Sequence, residues 1–300
     1  MWIRACGPVA DELDLLGSPK SCVYLLKGDR YLLVGGAGPW IVPDLERQFA
    51  DLGVDLERID GIYISHSHFD HCGAVPYLRR RIPRLRVYAS AGAAAILAME
   101  KAVQNMRRFT RESLEQMGVP VDFGGVSLDF ETFPLARALG DGDAVDLGGG
   151  VRLVTFETPG HSRCSLTAYE PSRGWLFPGD SMPFPGADGS DLVSTASESF
   201  VVFCDSLRKL QGLETSLCAW EHHGVRTQAD AHTVVRDALA FTARYKASVC
   251  DLLARARDPE RAAEEVCRNW LAQAQFPFLP ERVMLHIART IVANASGEVL

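Results

Sequence analysis

The most constraining stretch of the chain is Ile62-Tyr63-Ile64-Ser65-His66-Ser67-His68-Phe69-Asp70-His71-Cys72-Gly73. An apolar run rich in β-branched and aromatic residues reads as a buried strand. It opens directly into three histidines and one aspartate within six positions. Imidazole and carboxylate are the donors that suit zinc, iron(II) and manganese, and a loop at a strand end lets neighbouring side chains converge on one point. A lone histidine is ordinarily a surface or core residue; four ligand-type residues this close, behind a strand, point to a metal site.

Three more segments place ligand-type residues after apparent strands. Thr158-Pro159-Gly160-His161-Ser162 follows Val151 to Phe156, and Phe177-Pro178-Gly179-Asp180-Ser181 follows Trp175 to Phe177. Ala219-Trp220-Glu221-His222-His223-Gly224 ends the last run of strand character. Each alone is weak, because glycine turns after strands are common. Together they put histidine or aspartate at four strand ends in order.

The remaining pattern is a layered α/β chain. Strands are expected at Cys22 to Lys27, Tyr31 to Val34, Gly61 to Ser65, Arg86 to Ala89, Val151 to Phe156, Ser165 to Glu170, Gly174 to Phe177 and Ser216 to Trp220. Helical spacing joins Ile96, Met99, Val103 and Met106, and Phe200, Phe203, Leu207 and Leu210 before Gly212. The glycine-rich region from Gly118 to Gly150 reads as loops with one or two short strands. Beyond residue 227 only helical faces remain: Val235, Ala238, Tyr245, Val249 and Leu252; Ala263, Val266 and Trp270; and Val283, Ile287 and Ile291, with a break at Phe276 to Pro280. The expected organisation is a catalytic domain over residues 1–227 and a helical cap over 228–300.

Composition excludes several functions. The net charge of −7 comes from mixed charges, and Arg79, Arg80 and Arg81 are a short cluster at a helix end, so no nucleic-acid surface is expected. No run of about twenty apolar residues exists, so no membrane span is expected. Eight scattered cysteines without a C-x-x-C pair read as reduced thiols of a cytoplasmic protein. No G-x-S-x-G elbow supports a serine nucleophile, and Cys72 and Cys164 read as buried fillers.

The order H-x-H-x-D-H, G-H, G-D and H-G resembles the metallo-β-lactamase superfamily over roughly residues 20 to 225. The resemblance implies an αββα sandwich with a helical C-terminal extension and two divalent metal ions, zinc, iron or manganese. Carried over by position, His66, His68 and His161 would bind the first ion. Asp70, His71 and His223 would bind the second, and Asp180 would bridge both. His223 is preferred over His222 because the family ligand is followed directly by glycine, as Gly224 follows here. Many members carry an Asp-x-Gly turn where this chain reads Val34-Gly35-Gly36-Ala37-Gly38. Its absence should not empty the site but would loosen a ligand's orientation.

His68-Phe69-Asp70-His71-Cys72-Gly73, with Pro76-Tyr77-Leu78 after it and Phe278-Leu279-Pro280-Glu281 further on, is similar to the thioesterases of this fold in the alkylquinolone signal pathway. Those act on 2-aminobenzoylacetyl-coenzyme A in quorum-signal metabolism. The implied function is hydrolysis of an acyl-coenzyme A or acyl-carrier thioester by a metal-bound hydroxide, with Asp70 and Asp180 as catalytic carboxylates. Phe69, Met182, Phe184, Phe276, Phe278 and His286 are the expected pocket residues, His286 more as core than as lining. The alternatives are a lactone or glutathione-thioester hydrolase, or a regulatory effector with a protein partner; a homodimer through the helical end is a further expectation.

Overall fold

In the computed structural model, residues 1–189 and 191–297 are described. The layering follows from residues such as those in the strand Ser21–Lys27. Cys22, Tyr24 and Leu26 enter one apolar cluster, while Val23 and Leu25 enter another. A strand covered on both faces reads as a continuous apolar run rather than an alternation, which is why this segment was visible in the sequence.

Two seven-stranded sheets face each other among the described residues. One runs, in spatial order, Arg137–Leu139, Arg86–Ser90, Ile59–Tyr63, Tyr31–Val34, Ser21–Lys27, Leu13–Ser18 and Gly7–Ala10. The other runs Trp2–Ile3, Val225–Thr227, Leu217–Ala219, Trp175–Phe177, Leu166–Glu170, Val151–Glu157 and Ala144–Gly148. Leu15, Tyr24 and Tyr63 from the first sheet meet Leu153, Leu166 and Phe177 from the second in the layer between them. The outer faces lie under helices: Val42–Asp51 and Val75–Arg81 on one side, Phe200–Leu210 and Val234–Ala256 on the other. This is the expected αββα sandwich with helices at the C-terminal end.

Several elements differ from expectation. The spacing through Ile96 and Met106 is carried by two helices, Ala91–Leu97 and Glu100–Gln116, separated at Ala98 and Met99. The region after Gly118, read as loops with one or two short strands, holds four: Asp122–Phe123 paired with Val126–Ser127, then Arg137–Leu139 and Ala144–Gly148 as edge strands of the two main sheets. The first residues, interrupted by acidic side chains, still form Trp2–Ile3, Gly7–Ala10 and Leu13–Ser18. The Asp14 carboxylate is neutralised by Lys27 Nζ at 3.1 Å across the strand pair.

The helical end is built from Val234–Ala256, Pro259–Ala274 and Glu281–Gly297. Asp258 caps the second of these through the Glu260 amide with Pro259 behind it, and Gln275 stops it in a left-handed conformation. The segment that follows folds back onto the sandwich. Phe278 is buried, its ring stacked on Trp40 at 4.5 Å and on Phe276 at 4.8 Å, and its carbonyl accepts from Ser113 Oγ at 2.7 Å. Truncating this ring leaves a cavity where three aromatic groups meet. Phe278→Ala is expected to cost about 3–5 kcal/mol of unfolding free energy, read from the shift in urea midpoint.

Candidate metal centre

All four loops singled out in the sequence open at the same edge of the sandwich. The strand Ile59–Tyr63 ends in Ser65 to His68, and a short helix, Phe69–Cys72, presents Asp70 and His71 one turn later. His161 follows Val151–Glu157, Asp180 follows Trp175–Phe177, and His222 follows Leu217–Ala219. Side chains from both sheets therefore point into one volume.

Their donor atoms form two sets. His66 Nε2 lies 2.9 Å from His68 Nδ1, and His161 Nε2 lies 3.2 and 3.0 Å from these two nitrogens. Such spacings are close to the ~3.3 Å edge of a tetrahedron with metal–nitrogen bonds of about 2.0–2.1 Å. In the second set His71 Nε2 lies 3.1 Å from His222 Nε2 and 3.5 Å from Asp70 Oδ2. Asp180 stands between the sets: Oδ2 is 3.4 Å from His71 Nε2 and 3.5 Å from His161 Nε2, and Oδ1 is 3.7 Å from His222 Nε2. Asp180 Oδ1 is buried without a hydrogen-bond partner among the described residues. An orphaned carboxylate oxygen amid convergent lone pairs is what a cation site requires, so the donor set fits divalent metals.

The electrostatics agree. Burial, reinforced by the neighbouring imidazoles, holds His66 well below its ordinary pKa. Burial likewise brings His222 to about 3. These rings are therefore neutral near pH 7, with nitrogen lone pairs to offer. Burial pulls His71 down too, but the carboxylates of Asp180, Asp70 and Glu221 outweigh it and raise its pKa. Burial raises Asp70; at Asp180 burial is outweighed by His71 and His222, and its pKa falls. The outer nitrogens are also fixed: His161 Nδ1 donates to the Thr195 carbonyl at 2.7 Å and His222 Nδ1 to the Lys20 carbonyl at 2.8 Å.

One expected ligand is corrected. His223 is turned away from the cluster: its Nε2 donates to the Ala274 carbonyl at 2.9 Å, while His222 stands in the second set. His223 itself has φ +60 and Gly224 has φ +90, so the turn takes two left-handed residues. A Cβ at Gly224 would lie 2.2 Å from the Ile3 carbonyl oxygen. The glycine is there for that close approach, which is why it misled the choice between the two histidines.

A cavity of about 530 Å³ lies over the cluster. Asp70, Asp180 and His222 reach its floor, and Phe69, Met106, Phe109 and Trp270 are among its walls. Of the expected pocket residues Phe69, Phe276 and His286 line it; His286 is exposed, so it is not the core residue the sequence suggested. Met182, Phe184 and Phe278 do not line it. Met182 and Phe184 are wholly buried, and Phe184 lies against Phe276 at 5.5 Å and His222 at 5.2 Å, backing the wall. Arg108 and Arg282 also line the cavity and are exposed; Arg108 bonds Asn105 and lies over Phe109, and Arg282 pairs with Glu112. Neither arginine was singled out from sequence, although Arg108 shares a helix with Met106. Cys72 donates to the His68 carbonyl, and burial raises its thiol pKa, which suits a filler rather than a nucleophile.

The profile of the metallo-beta-lactamase superfamily matches residues 16–217, and the chain belongs to that family. It is 26% identical over 234 residues to a hydroxyacylglutathione hydrolase of Synechococcus, covering 78% of this chain and 76% of that one. It is 25% identical over 211 residues to the probable metallo-hydrolase YqjP of Bacillus subtilis, covering 65% of this chain and only 64% of that relative's length. Among solved structures, the metallo-beta-lactamase family protein TTHA1429 of Thermus thermophilus superposes with a TM-score of 0.63 at 22% identity, covering 92% and 93% of the two chains. No described helix is long and apolar enough to cross a membrane.

Proposed function

We propose that the chain is a metal-dependent hydrolase of acyl thioesters, acting on a coenzyme A or other acyl-carrier conjugate. The observation that carries this reading is the metal-type cluster at the floor of an apolar cavity whose lining includes two exposed arginines. His66, His68 and His161 would hold one cation; Asp70, His71 and His222 would hold the second, with Asp180 contacting both. When bound, the cations supply a water acidified from a pKa of about 15.7 towards about 7 and an electrophile for a carbonyl oxygen. Zinc, iron(II) and manganese all suit this set of donors.

The residues of the chain do the rest. Asp70 and Asp180, carboxylates at the cavity floor, orient the attacking water and accept its hydrogen bonds. Phe109, Trp270 and Phe276 surround the acyl group and exclude solvent from the carbonyl. Arg108 and Arg282 face the anionic carrier. A thiolate leaves readily, so no separate general acid is demanded of the site. In this reading the helices after residue 228 form the cap over the cavity. The hydroxyacylglutathione hydrolase relatives support thioester chemistry and keep a glutathione conjugate as a second reading.

Free-thiol release distinguishes the carriers. Aromatic and β-keto acyl-coenzyme A thioesters should turn over with higher kcat/KM than glutathione thioesters or lactones. Arg108→Glu should raise KM for the coenzyme A substrates about fivefold at unchanged kcat, the size of an exposed charge contact near 1 kcal/mol. No turnover of any thioester by protein shown to contain metal would overturn the thioesterase reading.

A further inference from the structure

We propose that Glu221 is a positioning residue that holds the His71 imidazole through its Nδ1–H, so that Nε2 is turned towards Asp70, Asp180 and His222. The proposal rests on the reading of His71 as a ligand of the second cation.

Glu221 Oε2 lies 2.8 Å from His71 Nδ1, and the Glu221 side chain is only 5% exposed. The two residues are 150 positions apart, His71 on the short helix after one sheet's strand and Glu221 in the loop after a strand of the other, so this contact ties the sandwich together behind the metal-type cluster. The residue is held at its backbone as well, since its carbonyl accepts from the Cys22 amide at 2.7 Å. The protein makes room for it at Gly35, where φ is +91 and a Cβ would lie 3.2 Å from the Glu221 carboxyl carbon. A side chain at Gly35 would be strained by that φ and would crowd the carboxylate as well.

The imidazoles of the cluster are backed in different ways. His161 and His222 donate to backbone carbonyls, which fix ring orientation without a formal charge. His66 Nδ1 meets the hydroxyl of Ser65 at 3.1 Å. His71 is backed by a full carboxylate. A carboxylate behind a ligating imidazole fixes its tautomer and makes its other nitrogen more basic. Glu221 therefore strengthens the second donor set selectively, leaving the set of His66, His68 and His161 to stand without it.

The test is zinc titration of metal-free protein in competition with a chromophoric chelator, which resolves two affinities without substrate. Wild type should take up two ions. Glu221→Gln and Glu221→Ala should weaken the second by about 10–100-fold and leave the first within twofold, and an intact first site also shows that the variant has folded. Glu221→Asp, which keeps the charge, should recover part of the loss. Unchanged affinity at both sites in Gln and Ala variants would overturn the proposal while the two-cation reading stands. Equal weakening of both sites would make Glu221 a general structural residue and also overturn it. Wild-type protein that binds fewer than two ions would overturn the two-cation reading and this proposal together.

Discussion

Asp180→Asn is expected to lower thioester hydrolysis by about a thousandfold or more, the scale on which groups that stabilise developing charge act. The physical reason is its place between both donor sets: Oδ2 lies 3.4 and 3.5 Å from His71 and His161 Nε2. An amide keeps the volume but loses the negative charge and turns one acceptor into a donor that faces nitrogen lone pairs. The folded protein should persist, because the amide keeps the side-chain volume and Oδ1 already lacks a hydrogen-bond partner among the described residues. Rate, circular dichroism and metal content measured on the same preparation decide the matter. Activity within tenfold of wild type, with the variant correctly folded, would remove Asp180 from the mechanism.

The second large effect separates adjacent histidines. His222→Ala should lose the second cation and at least about a hundredfold in turnover, by the same reasoning about lost charge stabilisation. His223→Ala should keep both cations. It should instead lose about 1–3 kcal/mol of stability, because the buried Ala274 carbonyl is left unpaired. Metal content and urea midpoints of the two variants give opposite patterns. Loss of metal in His223→Ala with retention in His222→Ala would reverse the assignment drawn from the geometry.

Much of the site was legible because its ligand-type residues follow strands whose apolar content is itself a local signal. Ile62 to Ile64 ahead of His66, and Trp175 to Phe177 ahead of Asp180, mark strand ends without reference to the rest of the chain. Strands lacking such a signal were missed. Gly7–Ala10 is an edge strand, paired on one side only, and edge positions tolerate the polar and glycine residues that hide it. The aromatic pair Phe276 and Phe278 was visible as candidate lining, yet the first lines the cavity and the second stacks on Trp40 beneath it.

By itself the sequence determined the family, the layered α/β class and the identities of most ligand-type residues, since these rest on local periodicity and on chemistry carried by neighbours in the chain. Tertiary structure alone decided which of His222 and His223 faces the cluster, because consecutive side chains leave a turn in different directions and the turn is shaped by Ile3 and Ala274. It alone placed Arg108 and Arg282 along one cavity and Glu221 behind His71. Those pairings join residues far apart in the chain, where packing of one sheet against the other, and not any repeat along the sequence, sets who meets whom.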